Sequence, residues 1–364
     1  MLDDDCKSPS PKAGKVTTVA VDANPMSRPL WTGTERYAAE VCRRLPDLAP
    51  DLHFRFYASR PTPRLDSQVL RGSRLWSQLR LPLELWLRVP DLLFVPAHVV
   101  PFASPGRTLT TIHDLAFERF PDAYQPNQRR YLRLTTKWAG WRCKRVIAVS
   151  QATANDLVEL YGVPPSKITV VYPGSDDHPH PMKREVAHQQ LERLGLNRPF
   201  VLQIGRIEKR KNQLSALRAA ERLPELDLVL AGAINDSQLA GELAQSERCR
   251  ILGPVDEIAR EALYQQAEAL IFPSLYEGFG FPIIEAMQRG LPVVTAANSS
   301  LPEVGGDAAL YAQDPLDPAE LAELLERAIN ERADLAVRGY QQAAKFSWKR
   351  SASEIVQVMR DIVE

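Results

Sequence analysis

The sequence predicts an α/β protein built of two Rossmann-like, doubly wound domains that face a central cleft. Short apolar runs alternate with amphipathic stretches along the whole chain, as in parallel sheets covered by helices on both faces. The alternation is interrupted once, between Pro173 and Pro199, by a stretch rich in proline, histidine and charge, and then restarts. At 364 residues the chain exceeds what one ordinary core serves.

The elements follow in order. Residues 1–14 are polar and Pro-containing and read as a disordered tail, acidic where a secretory leader would be basic. In the first half, residues 15–23, 53–59, 91–97, 107–114, 145–150 and 167–174 read as buried strands. Helical spacing marks residues 34–48, 128–142 and 152–161 between them. The connector contains a helical stretch at 185–194. Strands then recur at 200–206, 227–233, 250–255, 269–274, 292–297 and 309–312. This divides the chain into a domain of residues 15–175, a second of 176–347, and a final helix over 348–364. In such sheets ligands bind beyond the carboxyl ends of the strands.

Composition excludes several classes. No run of about 18 apolar residues could span a bilayer. Cys6, Cys42, Cys143 and Cys249 lack metal spacing and fit reduced thiols of a cytoplasmic protein. The net charge of zero conceals a division: residues 1–175 hold 24 Lys/Arg against 16 Asp/Glu, and residues 176–364 hold 21 against 29. The basic half points either to an anionic partner, such as a membrane surface or a phosphorylated acceptor, or to attraction between oppositely charged domains. No nucleic-acid partner is expected.

The most informative segment is Glu277-Gly-Phe-Gly-Phe-Pro-Ile-Ile-Glu285, which follows a strand. Gly278 and Gly280 free the backbone, and Pro282 sits where a helix's first turn tolerates a missing N–H. Two carboxylates around exposed amide donors suit a ligand that is both polyhydroxylated and phosphorylated; an ordinary βα turn is the alternative. Beyond strand 200–206, Arg206 ends the strand and Lys211 opens the next helix, so both can reach one phosphate. Lys209 and Arg210 read as a solvated face. His113 and Asp114 follow another strand, and Gly33 precedes a helix where backbone can approach phosphate.

Together these segments resemble the retaining glycosyltransferases of family 4, with the GT-B fold. The resemblance extends to Gly205-Arg206, Lys211-Asn212, Val149-Ser150-Gln-Ala-Thr-Ala-Asn-Asp156, Gly290-Leu-Pro-Val-Val294, Leu301-Pro-Glu-Val-Gly-Gly-Asp-Ala-Ala309 and Phe346-Ser-Trp348. It implies that Arg206 and Lys211 neutralise a donor diphosphate and that Glu285 holds the ribose. It also implies that Glu277 and the N–H groups of Phe279, Gly280 and Phe281 hold the transferred sugar. Gly33 would let its loop approach the diphosphate, and His113 would contact the sugar near its C6 hydroxyl. The final helix would cross back to the N-terminal domain. Two departures are the single Gly33 between Thr32 and Thr34, and Pro173-Gly-Ser-Asp176 at the hinge.

The expected reaction moves a hexose from a UDP-glucose-type or GDP-mannose-type donor to a glycan or lipid-linked glycan in polysaccharide biosynthesis. The resemblance implies retained configuration, with the diphosphate taking the acceptor proton. No cofactor or metal is expected, because the one Asp-x-Asp run, Asp3–Asp5, lies in the tail. A sugar-nucleotide epimerase or hydrolase and a non-catalytic binding protein are the alternatives. Base recognition, which in this fold often uses backbone groups, is expected around Gly253–Val255. Residues 75–88 mix Leu, Trp and Arg and read either as an interfacial segment, placing the protein peripherally at the inner membrane face, or as a buried helix pair.

Overall fold

A computed structural model describes residues 16–28, 31–63, 65–72, 75–175 and 182–364. The predicted tail and residues 176–181 of the connector lie outside the described residues. The N-terminal sheet contains β1 (Thr17–Asp22), β2 (Leu52–Ala58), β3 (Gln68–Val69), β4 (Leu92–Val95), β5 (Arg107–Ile112), β6 (Arg145–Ala148) and β7 (Ile168–Val170). The C-terminal sheet contains β8 (Phe200–Ile204), β9 (Asp227–Ala231), β10 (Cys249–Gly253), β11 (Ala269–Phe272), β12 (Val293–Ala296) and β13 (Ala309–Ala312).

The strand orders are β3-β2-β1-β4-β5-β6-β7 and β10-β9-β8-β11-β12-β13, and every pairing between named strands is parallel. Each order reverses once, beside β1 and beside β8, which opens a crevice at the carboxyl ends of the strands. The central strands are buried on both faces, which explains why they read as continuous apolar runs rather than alternating ones. Only the two-residue edge strand β3 was missed; two residues carry no readable period. Cys42, Cys143 and Cys249 are free and buried.

The final helix, Trp348–Val363, packs its apolar face on the N-terminal domain, beside the helix Gly33–Leu48. Arg360 pairs with Asp51 at 2.7 Å, and Arg107 donates to the Ile362 carbonyl. The chain enters this helix beside the hinge. A Cβ built on Gly174 would lie 1.9 Å from the Trp348 amide nitrogen, and Ser175 donates to the Phe346 carbonyl at 3.3 Å. Backbone lies against backbone there, so no side chain can rotate aside. Gly174→Ala is expected to cost about 1–3 kcal/mol, as overpacking does. A urea melt that coincides with the wild type would show that the hinge yields freely.

Candidate active site

The cleft is lined by the loops after β4, β5, β8, β11 and β12. After β8 the chain runs through Arg206 into a tight 3₁₀ turn, Lys209–Lys211, and reaches the helix Gln213–Glu221 through Asn212 at φ 55°. Lys211 therefore precedes the helix rather than opening it. Asn tolerates the left-handed backbone, and its side-chain amide donates to the carbonyls of Pro273 at 3.2 Å and Pro315 at 2.6 Å. Those bonds lock the turn against the end of β11.

The locked turn aims Lys211 at the loop after β11. Its Nζ donates to Glu277 Oε1 at 2.5 Å and lies 5.0 Å from the Phe272 ring centroid. Arg210 Nη1 stands 3.2 Å from Glu277 Oε2, while Nη2 donates to Glu208 Oε1 at 2.7 Å. Arg210 is thus part of the site rather than of a solvated face. A 3₁₀ turn of three residues distributes a charge run around its axis, leaving Lys209 outside and Arg210 and Lys211 inside. Arg206 is exposed and has no ion-pair partner among the described residues.

Burial would raise the Glu277 carboxyl, but Lys211 and Arg210 beside it hold it down to about 2. Burial also lowers the Lys211 ammonium, against the pull of Glu277. With the carboxyl so low, the proton of this pair belongs to the lysine. Glu277 is therefore a fixed anion and hydrogen-bond acceptor at neutral pH. Its contribution to stability is present above pH about 4.5 and is lost as pH falls through about 2.

The loop after Glu277 is pinned from the end of β12. Glu277 N donates to Ser299 Oγ at 3.0 Å, and Ser300 Oγ donates to the carbonyls of Glu277 and Phe279 at 3.0 and 2.8 Å. Gly280, at φ 111°, starts the helix Phe281–Met287. The N–H groups of Phe279, Gly280 and Phe281 donate to nothing among the described residues. One turn on, Glu285 is buried, accepting from Tyr264 Oη at 2.7 Å and from Arg36 Nη1 at 2.5 Å. Burial raises its pKa, but Arg36, Arg260 and the tyrosine bring it below the ordinary glutamate value. Glu277 and Glu285 are thus held by separate sets of partners.

The N-terminal wall comes from the β4 and β5 loops and from the helix Gly33–Leu48. Thr32 and Glu35 form a capping box at that helix's start, with Glu35 also paired to Arg28. The space left by the missing side chain of Gly33 faces the Phe281 ring, 3.1 Å from where a Cβ would stand. His113 Nε2 donates to the Pro96 carbonyl at 2.9 Å, so a neutral ring carries its free lone pair on Nδ1. Burial lowers the His113 pKa. Its carbonyl oxygen would lie 1.9 Å from a Cβ on Gly278, bringing the two walls together at that point.

Further ties cross the cleft. Glu303 accepts from the amides of Gln151 and Ala152, both at 2.7 Å, capping the helix Gln151–Tyr161 from the other domain. Tyr276 Oη donates to Asp156 Oδ2 at 2.6 Å and accepts from the Leu115 amide at 3.1 Å. Sequence reasoning missed Arg36, Arg210, Tyr264, Ser299 and Ser300. Arg36 lies three residues beyond Gly33, on the same side of one helix, which was a readable signal. Tyr264 had none, because its helix ends on a different strand connection. Gly253, near the proposed base site, has φ 69° and open space around its Cα.

His98 follows β4 in a left-handed conformation, φ 42°, and its Nε2 lies 2.5 Å from Thr136 Oγ1. Burial and neighbouring His113 outweigh Asp114 and lower its pKa to about 4. The unfolded chain therefore takes up this proton first, and stability is lost as pH falls from about 6.5 through 4. His98→Asn, which keeps the left-handed backbone, should remove that pH dependence, up to about 3 kcal/mol between neutral pH and pH about 4. Thermal melts at neutral pH and at pH about 4 check this; parallel slopes would place the acid sensitivity elsewhere.

The architecture and its cleft define a GT-B glycosyltransferase. Residues 31–178 match the family model "Glycosyltransferase Family 4", and residues 186–346 match "Glycosyl transferases group 1". The O-antigen chain mannosyltransferase B of Escherichia coli is 30% identical over 264 residues, 69% of each chain. The chain belongs to the family 4 glycosyltransferases. D-inositol 3-phosphate glycosyltransferase of Mycolicibacterium smegmatis is 32% identical over 227 residues, 58% of this chain. The chain spans 51% of that relative and 33% of the Escherichia coli mannosyltransferase WbdA. Among solved structures, Anabaena HepE in complex with UDP-glucose superposes with a TM-score of 0.75 at 18% identity, covering 95% of this chain and 99% of that one. WaaG, a glycosyltransferase involved in lipopolysaccharide biosynthesis, gives 0.69 at 17% identity, covering 93% and 99%.

Proposed function

We propose that this glycosyltransferase moves a hexose, with retention of configuration, from a nucleoside-diphosphate sugar to a glycan or lipid-linked glycan in polysaccharide biosynthesis. The observation that carries the reading is the pair Arg210 and Lys211 on one locked turn, facing Glu277 beside free amide donors, with the exposed Arg206 just before that turn. Breaking the anomeric C–O bond leaves negative charge on the departing diphosphate. Preorganised cations and N–H groups act most strongly on charge that develops in this way. Arg206, with no ion-pair partner among the described residues, would bind the diphosphate first, and Lys211 would divide its donors between phosphate and Glu277.

Glu277, held as an anion, would accept hydrogen bonds from the sugar hydroxyls. A carboxyl at about 2 is a poor proton donor and a weak base. The diphosphate oxygen would then take the acceptor proton on the same face, which keeps the anomeric configuration. Glu285 would exchange Arg36 for the ribose hydroxyls. His113 Nδ1 would accept from the sugar's C6 hydroxyl. The diphosphate would be neutralised by these side chains without a metal ion. Mannose is the first sugar to test, given the mannosyltransferase relatives.

The test is incubation with GDP-mannose and UDP-glucose, with and without a glycan acceptor and with excess chelator. Diphosphate release that requires acceptor and survives chelation is the expected result. Release without acceptor would make the protein a hydrolase, and a new sugar nucleotide would make it an epimerase.

A further inference from the structure

We propose that the N-terminal domain carries a built docking face for an anionic phospholipid surface, formed by the helix Pro126–Arg142 and the segment 75–89. The helix has five Arg/Lys and no carboxylate over 17 residues. Arg130, Leu134, Lys137 and Trp141 are all exposed and recur at helical spacing, so they form one stripe with apolar centres and cationic flanks. Trp141 is 70% exposed. A water-facing helix of a globular protein usually carries both signs of charge and no free tryptophan.

The segment 75–89 continues the same face. Trp76, Leu81 and Leu85 are buried, whereas Leu79 is 64%, Trp86 60% and Leu87 72% exposed. The expectation of a buried helix pair is therefore corrected. The helix Leu81–Leu87, with Pro82 in its first turn, follows directly on the π-turn Trp76–Arg80, and the combined stretch has more apolar residues than one buried stripe can hold. Arg80 and Arg88 flank it, and its one carboxylate, Glu84, is buried. The two elements are bridged. Gln78 donates to Tyr131 Oη at 3.2 Å, Trp86 Nε1 to the Ala103 carbonyl at 3.0 Å, and Phe102 packs on Trp138, itself against Trp141.

Charge selects the occupant. A protein partner would need a complementary acidic apolar groove, whereas a bilayer with anionic headgroups offers both chemistries over any contour. A groove of about 360 Å³ is lined by Arg130, Arg133, Lys137, Tyr161 and Glu118; Glu118 pairs with Arg133 at 2.9 Å, which leaves Arg130 and Lys137 as the cations there without an ion-pair partner among the described residues. No helix of the described residues is long and apolar enough to cross a membrane, so the contact is interfacial. The inner side of the same helix carries Thr136, bonded to His98 beside His113. Docking would therefore hold the cleft wall about one helix diameter, roughly 10 Å, from the lipid surface. Service to a lipid-borne acceptor rests on the proposed transfer reaction; the docking itself rests on exposure and charge alone.

The test is flotation of the full chain with vesicles of phosphatidylethanolamine and phosphatidylglycerol, against phosphatidylcholine alone, at low and physiological salt. Binding to the anionic vesicles that weakens with salt is expected. R130S/K137S should weaken it roughly thirtyfold, from the loss of two surface cations. L87S/L134S/W141S should abolish it while leaving the circular dichroism melt unchanged. Transfer to a water-soluble acceptor should be unaffected in both variants, so failure of docking and failure of the transfer reading are separable. No flotation of the wild type at low salt, equal binding to neutral vesicles, or binding indifferent to both variants would each overturn the proposal. So would a solution dimer dispersed by W141S, which would assign the face to self-association.

Discussion

Lys211→Ala is expected to lower kcat/KM for donor about ten- to a hundredfold, the loss of one charged hydrogen bond to the leaving diphosphate. The same substitution strips the nearer of two cations from Glu277, a buried carboxylate. Breaking a buried pair from one side costs about 3–5 kcal/mol; Arg210, at 3.2 Å, keeps this case near the lower end. Urea denaturation and donor titration read the two effects separately. Adding Glu277→Gln to Lys211→Ala should restore much of the stability, because the stranded charge is removed. It should not restore transfer. Wild-type donor affinity and turnover in the single variant would mean that the diphosphate lies elsewhere in the cleft.

Gly278→Ala should reduce turnover about a hundredfold or more. The added methyl carbon would stand 1.9 Å from the His113 carbonyl oxygen and 2.8 Å from the Asp114 Cβ. Backbone on one domain meets backbone on the other, so relief comes by separating the walls by about 1 Å or more. Displacement on that scale suffices for a hundredfold loss when reacting groups are shared between two domains. One hydrophobic cluster runs through both domains, from Val19 and Phe94 to Phe272 and Trp348, so separating the walls should lower the melting temperature as well. Donor binding, which draws mostly on the C-terminal wall, should fall less than kcat. Unimpaired turnover would show that the walls work at a wider separation than the one seen here.

How much was legible follows from what kind of signal each residue leaves. Twelve of the strands left runs of apolar residues that no loop would tolerate, and the site segment 277–285 left glycines and carboxylates at fixed spacing. Arg210 sits in a charge run whose members look alike until the turn sorts them. Ser299 and Ser300 look like any loop serines until their hydroxyls are seen tying down Glu277 and Phe279. Tyr264 reads as a core aromatic, and its hydroxyl reaches Glu285 only because two helices meet. The exposed Trp86 and Trp141 are invisible to composition, since burial depends on which face of a helix meets the sheet.

The amino-acid sequence by itself determined two parallel sheets and the family, because periodicity and short motifs are local properties of the chain. Only the tertiary structure decided which charges meet: Lys211 and Arg210 with Glu277, Arg36 with Glu285, and Glu303 with the helix start at Gln151. Lys211 and Glu277 stand 66 positions apart, Arg36 and Glu285 249, and Gln151 and Glu303 152. Electrostatic coupling depends on distance through space and on burial, and neither is written in spacing along the chain.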